Sequence, residues 1–136
     1  MPDTQTRNAA CLCGRLRVVA HGAPRDVYLC ACRNCQKKSG SAFSYAAIFS
    51  ADDVSVDGEP RRYRYVADSG HWIENAFCPA CGGTVFFTGE ALPELIGIAA
   101  GTIEDADLPS PRRIYWSARR HHWVRVPDGA EEVERQ

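Results

Sequence analysis

Seven cysteines carry the chemistry of this sequence, and they fall into three short runs. These are Cys11-Leu12-Cys13, Cys30-Ala31-Cys32-Arg33-Asn34-Cys35 and Cys78-Pro79-Ala80-Cys81. The outer two runs are a C-x-C pair followed by Gly14 and a C-x-x-C pair followed by Gly82. Glycine after each pair permits the tight turn that brings backbone and thiolates round one ion. Cys11, Cys13, Cys78 and Cys81 can therefore place four sulfurs about 2.3 Å from a single zinc ion, a closed structural site. The alternative is four inert buried thiols. As a zinc site, the quartet would tie the N-terminal part of the chain to a hairpin far along it, where cross-linking restricts the unfolded chain most.

The central run leaves Cys30, Cys32 and Cys35 to themselves. Three thiolates give three corners of a tetrahedron and one open position, the usual mark of catalytic zinc. Three readings stand. In the first, zinc holds an open site and binds a substrate thiol as thiolate, a nucleophile at neutral pH. Alternatively the three thiols are a redox set without permanent metal. Or they hold a second structural zinc completed by a histidine, from His21, His71, His121 or His122, none of which has ligand spacing to the run. An iron–sulfur cluster would take four thiolates and strand three.

Arg33, Lys37 and Lys38 lie beside this run. Their charge would lower thiol pKa values and attract a carboxylate-bearing substrate such as a tripeptide, or else form an ordinary solvated face. Ser39-Gly40-Ser41 offers backbone N–H groups to an anion. His121-His122-Trp123 would line a pocket or simply pack.

The elements that must position these thiols read as short strands. Leu16–Ala20 follows the first pair, Val27–Leu29 leads into the central run, and Gln36–Gly40 is a helical turn or loop. Phe43–Phe49, Val54–Val56, Arg62–Val66, His71–Phe77, Thr84–Thr88, Leu95–Ala100 and Ile114–Trp116 complete the set. Asp57-Gly58 between two such runs is a hairpin signal. Gly97 hints at a bulge. Frequent Gly and Pro, with no long amphipathic helix, predict a strand-dominated domain.

The chain has 136 residues and a formal net charge of −1. One domain is expected, over residues 10–128, with a frayed, disordered N-terminus at 1–9 and an acidic solvated tail at 129–136. That charge carries no footprint for nucleic acid or an anionic membrane. No apolar run approaches the roughly 20 residues of a membrane span. The polar start, MPDTQTRNAA, lacks the apolar region of a secretory signal, so a cytoplasmic protein with reduced thiols is expected.

The order of motifs resembles the glutathione-dependent formaldehyde-activating enzyme family. The residues that carry the resemblance are Cys11-Leu12-Cys13-Gly14, Cys30 to Cys35 with Ser39-Gly40-Ser41-Ala42-Phe43, Gly58-Glu59-Pro60-Arg61-Arg62-Tyr63 and Phe77-Cys78-Pro79-Ala80-Cys81-Gly82. Gly101-Thr102-Ile103-Glu104-Asp105 and Pro111-Arg112-Arg113-Ile114-Tyr115, with Trp123, extend it over residues 10–128. The resemblance implies short, coiled antiparallel sheets stapled by zinc, similar to methionine sulfoxide reductases of the B type. It implies two zinc ions per chain: a structural one on Cys11, Cys13, Cys78 and Cys81, and a catalytic, more labile one on Cys30, Cys32 and Cys35. The implied activity is carbon–sulfur lyase chemistry, joining formaldehyde and glutathione reversibly to S-hydroxymethylglutathione, with a small-molecule thiol as the partner. Asn75 stands where many members carry a basic residue, and Arg119-Arg120-His121-His122 replaces a shorter segment containing lysine and proline. Both differences bear on the pocket wall and on which thiol adduct is used. The competing function is a non-enzymatic zinc-binding scaffold or interaction module.

Overall fold

Residues 5–104 and 107–135 are described by the computed structural model of the chain. Alternation sets the first layer. In β1 (Thr6–Ala10) and β2 (Arg17–His21), every second residue is buried, and the two strands pair antiparallel. β5 (Val54–Asp57) pairs with the other side of β2, giving a three-stranded sheet in the order β1-β2-β5. The frayed terminus expected over 1–9 is therefore wrong from Thr6 onward; residues 1–4 lie outside the described residues. Arg7, a charged side chain, points inward there and is buried, its guanidinium donating to the Gly22 carbonyl.

The second layer is an eight-stranded sheet built from β3 (Asp26–Cys30), β4 (Ser44–Ser50), β6 (Arg61–Val66), β7 (Trp72–Phe77), β8 (Thr84–Gly89), β9 (Leu95–Ala99), β10 (Arg113–Tyr115) and β11 (Glu131–Val133). Its order is β11-β10-β3-β4-β9-β8-β7-β6. The fold is mainly β, as expected, but the large sheet is mixed: β10 runs parallel to both β3 and β11. The chain returns from β9 by a long connection and enters beside β3 in the same direction, with the Arg112 N–H donating to the Val27 carbonyl. The tail is also corrected. Glu131–Val133 is a strand, fixed by the Glu131 N–H on the Arg112 carbonyl and by Glu132 on Arg120.

Asp57-Gly58 does not make a hairpin. β5 belongs to the small sheet and β6 to the large one, so the chain crosses between layers there. Gly58 has φ +104°, and a Cβ on it would sit 2.5 Å from the Arg15 carbonyl oxygen; close backbone approach explains the glycine. Gly97 marks no bulge either. Register is unbroken along β4 and β9, and the ring of Phe87 occupies the space a Cβ would need.

The large sheet has two different faces. Val27, Ala47, Phe49, Ile96 and Ile98 point towards Val18 and Ala20 of the small sheet and form the core with them. Burying each large side chain of this kind contributes about 1.5–3 kcal/mol. The opposite face presents Asp26, Tyr28 and Cys30 of β3, with residues from the strands on either side, to an open cleft.

Candidate metal centres and cleft

The quartet sits where the two sheets meet. Cys11 follows β1 and Cys78 follows β7, and both belong to the core cluster. Two similar turns hold them. The Cys11 N–H donates to the Leu16 carbonyl and the Gly14 N–H to the Cys11 carbonyl; the Cys78 N–H donates to Gly83 and the Gly82 N–H to Cys78. Gly14 and Gly82 have φ +82° and +77°, as the turns require. Backbone N–H groups point at sulfur: Leu16 at Cys11 and Ala80 at Cys78, each 3.3 Å away.

The sulfurs fit a metal. All four lie within 4.8 Å of one another. Cys11 and Cys13 Sγ are 3.7 Å apart and Cys13 and Cys78 Sγ 3.6 Å. Four sulfurs in a regular tetrahedron about 2.3 Å from zinc would be separated by about 3.8 Å. The thiols are already biased unequally. Burial opposes ionisation of Cys11, but the Leu16 N–H and the thiols of Cys81, Cys13 and Cys78 outweigh it and bring Cys11 down to about 6. For Cys13 the Arg15 N–H favours the thiolate, yet burial and the other three sulfurs prevail and push it up to about 11.

The trio is assembled locally. Cys30 ends β3, Cys32 caps α1 (Arg33–Ser39), and Cys35 lies in its first turn. The Cys35 N–H donates to Cys32 Sγ at 3.3 Å, so one ligand orients another. Gln36 fixes the loop: buried, it donates through Nε2 to the carbonyls of Ala31 and Arg119 and accepts from Arg33. The three sulfurs also lie within 4.8 Å of one another, and no histidine or carboxylate joins them among the described residues. The structural zinc completed by histidine is thus not supported. His71 lines the same cleft but faces Glu90, 3.6 Å away. Hydrogen bonds from Cys30, then Cys32, hold the Cys35 thiol far below its usual range, with help from Lys38. The same sharing pushes Cys30 up.

The trio opens into a cleft of about 490 Å³. Because the sheet curls, its walls come from strands far apart in sequence: Cys30 and Tyr28 on one side, Tyr65 of β6 on the other, Phe87 and Gly97 between them. Tyr28 packs edge-on against Tyr115 at 5.1 Å between ring centres. Burial, then the nearby cysteines, push the Tyr28 and Tyr65 hydroxyls well above their ordinary range, so both keep their protons at neutral pH. Trp116, which also lines the cleft, has φ +55°, a left-handed conformation unusual for a bulky residue. Arg119 lies over its ring at 4.6 Å and reaches Asp68 at 3.4 Å.

Of the cations beside the trio, only Lys38 enters the cleft. It sits 4.3 Å from the centre of the Phe87 ring and 3.5 Å from Asn75 Oδ1. Lys37 and Arg33 are exposed and outside it. Ser39 and Ser41 line a separate hollow, and the Ser39 hydroxyl donates to the Cys35 carbonyl. His121, His122 and Trp123 are exposed and do not line the cleft; His121 and Trp123 stack on each other. Tyr28, Tyr65 and Trp116 were not foreseen. Tyr65 had a signal in its alternating strand, whereas nothing local marks Trp116.

The family model for glutathione-dependent formaldehyde-activating enzymes matches residues 6–123. The chain belongs to this family. Among solved structures, a Rhodobacter sphaeroides protein superposes with a TM-score of 0.59 at 20% identity, covering 74% of this chain and 90% of that one; it shares the fold. The chain is thus a member of the glutathione-dependent formaldehyde-activating family that carries two cysteine clusters able to hold metal ions. No helix among the described residues is long and apolar enough to cross a membrane.

Proposed function

We propose that the protein is a cytoplasmic, zinc-dependent carbon–sulfur lyase that makes and breaks the adduct of glutathione with an aldehyde, S-hydroxymethylglutathione or a related thiol adduct. Cys11, Cys13, Cys78 and Cys81 hold a structural zinc; Cys30, Cys32 and Cys35 hold the catalytic one. The observation that carries the reading is the trio's setting: three convergent thiols, no fourth protein ligand among the described residues, and a cleft directly over them.

Zinc, when bound, would keep a substrate thiol ionised at neutral pH. The chain's own residues do the rest. Gln36 and the Cys35–Cys32 hydrogen bond hold the ligand loop rigid. Phe87, Ile73 and Tyr65 contribute apolar surface to the walls beside the reacting carbon. In synthesis the sulfur lone pair forms the S–C bond as the C=O π bond breaks, and the oxygen takes up the proton the thiol gave up on ionising; cleavage is the reverse. Tyr28 and Tyr65, protonated at neutral pH, put hydroxyl donors in the cleft where that oxygen develops charge.

The deciding experiment is X-ray absorption at the zinc edge with and without glutathione, alongside turnover of glutathione and formaldehyde. The average sulfur count per zinc should rise on adding glutathione, and Cys32→Ser should abolish turnover. A fully active Cys32→Ser variant would refute the catalytic assignment. An unchanged shell with no turnover would leave the interaction-module reading.

A further inference from the structure

The cleft has a neighbour on the other side of the trio. Cys30 and Ser44 stand opposite each other across the β3–β4 pair, and the Ser44 hydroxyl hydrogen-bonds to Cys35. From there the cleft runs past Tyr28 to Asp26 and Ile48, which are again opposite each other. The separate hollow reaches the other way, to Phe43, Ser41 and the Gly82-Gly83 turn, and has a volume of about 450 Å³. Lys38, Ser44 and Phe87 line both spaces, with Lys38 lying 4.3 Å from the centre of the Phe87 ring. A long lysine side chain and one aromatic ring therefore form the partition, and the trio sits beside it. Phe43 and Tyr45, both half-buried, give the hollow its apolar surface, with small residues such as Ala99 and Gly101 around them. The lyase chemistry, as derived from the cleft, leaves this space unused.

We propose that the hollow receives the alkyl chain of the carbonyl reactant, so that the protein's aldehyde is one larger than formaldehyde. The inference rests on the thiol-binding reading of the trio and names the class of its electrophile. A thiol with its sulfur at the trio and its body along the cleft covers the cleft side. The aldehyde must then meet the sulfur from a side the thiol leaves open, and the hollow adjoins the trio there. Volume bears on size: ligand pockets measure about 300–1,000 Å³, and an aldehyde of one carbon and one oxygen would leave most of this one empty. Lining bears on chemistry, since aromatic faces and small residues suit an unbranched alkyl chain. The step needs no further reactant. The sulfur forms its bond to the carbonyl carbon, the C=O π pair moves to oxygen, and that oxygen takes the thiol's proton. With the chain in the hollow, the oxygen is free to turn to the cleft, which Tyr28 and Tyr65 line. Phe43, Tyr45 and Gly101 are then specificity-determining residues for the aldehyde.

The test is a chain-length series on the zinc-loaded full chain. Glutathione is paired with formaldehyde, acetaldehyde, propanal, butanal and pentanal, and adduct formation above the uncatalysed rate is followed by exchange NMR. From acetaldehyde onward kcat/KM should rise about two- to fourfold with each methylene, and roughly tenfold or more from acetaldehyde to pentanal, as apolar burial predicts. Gly101→Leu should flatten that ratio to within about twofold. A Cβ on Gly101 meets nothing within 4 Å, so the new side chain takes up the hollow without a clash at its root. Ser41→Phe, at an exposed position on another element, should flatten it too and decides the matter if Gly101→Leu unfolds. A ratio between two aldehydes is insensitive to general damage, which zinc content and melting temperature report separately. A flat series in wild type, with formaldehyde turned over, overturns the proposal and leaves the lyase reading standing. A rising series that neither variant flattens puts the chain in the cleft and also overturns it. If no aldehyde, formaldehyde included, reacts faster than without protein, the lyase reading itself falls and takes the proposal with it.

Discussion

The two cysteine clusters use the same ligand chemistry and differ in almost everything else. The quartet joins Cys13 to Cys78 across 65 residues, at the junction of two sheets and beside the core. The trio is confined to residues 30–35, on the opposite face of the large sheet, and looks into a cleft. A metal on the quartet restrains the fold. One on the trio has little to restrain, since β3, α1 and Gln36 already position those thiols. Number of ligands and place in the fold, rather than ligand type, separate a staple from a reaction centre.

The sharpest way to break this contrast is a pair of single substitutions. Cys78→Ser, at a buried ligand, should lower the melting temperature by more than about 10 °C, because structural metal binding is folding free energy. Cys32→Ser should leave the melting temperature within about 3 °C while lowering turnover at least about a thousandfold. Thermal scans and a turnover assay decide it, and equal effects of the two variants would dissolve the distinction.

Chelation is the next largest effect. A chelator should remove one zinc quickly, with activity, and the second slowly, with unfolding. Metal release followed by a colorimetric indicator should thus show two phases, and only the slow one should track the loss of circular dichroism. Acid should give the same order. Protons compete with metal for thiolates, so affinity falls as pH falls. The thiol of Cys11 is pulled from 9.0 down to about 6, so the stability it contributes is present above 9.0 and fades as pH falls through about 6. Within each cluster the shifts oppose one another, Cys11 down and Cys13 up in the quartet, Cys35 down and Cys30 and Cys32 up in the trio, so the number of ligands, four against three, sets the order. Zinc occupancy measured stepwise from pH 8 downward should show the trio emptying first.

Two glycines sharpen the comparison at smaller cost. Gly58→Ala forces a Cβ against the Arg15 carbonyl, within the quartet's own loop, and at an unfavourable φ. It should cost about 1–3 kcal/mol and hasten loss of the slow zinc. Gly97→Ala collides with the Phe87 ring in the cleft wall. It should cost a similar amount while raising KM more than it disturbs the quartet, as read by denaturant unfolding and steady-state kinetics. The smallest effect is expected from Lys38→Gln, a rise of a few-fold in KM for the thiol, since this cation faces the cleft and favours the Cys35 thiolate.

The two cysteine clusters were legible because spacing within a turn is a local property; C-x-C-G and C-x-x-C-G predict their own backbone. Most strands were legible for the same reason, through alternation. The cleft was not. Tyr65, Phe87 and Trp116 meet the trio only because an eight-stranded sheet curls, and no pattern within any one strand encodes that curl. The parallel placement of β10 was equally hidden, since three residues carry too little pattern to reveal direction. Local rules also misfired where tertiary contact overrode them. Asp57-Gly58 looked like a turn, but the glycine serves a close approach to Arg15. The N-terminal strand carries a buried charged residue, Arg7, against the rule that charge stays outside, so its pattern reads poorly as a strand.

The unequal sequence spans of the two clusters also dictate an order of assembly. As the chain leaves the ribosome, Cys30, Cys32 and Cys35 emerge together and need close only a tiny loop, whereas Cys11 and Cys13 wait for Cys78 and Cys81. For that interval the first pair is a stray chelator beside a finished trio. If both clusters take metal, its supply during synthesis would bear on how much correctly loaded protein forms.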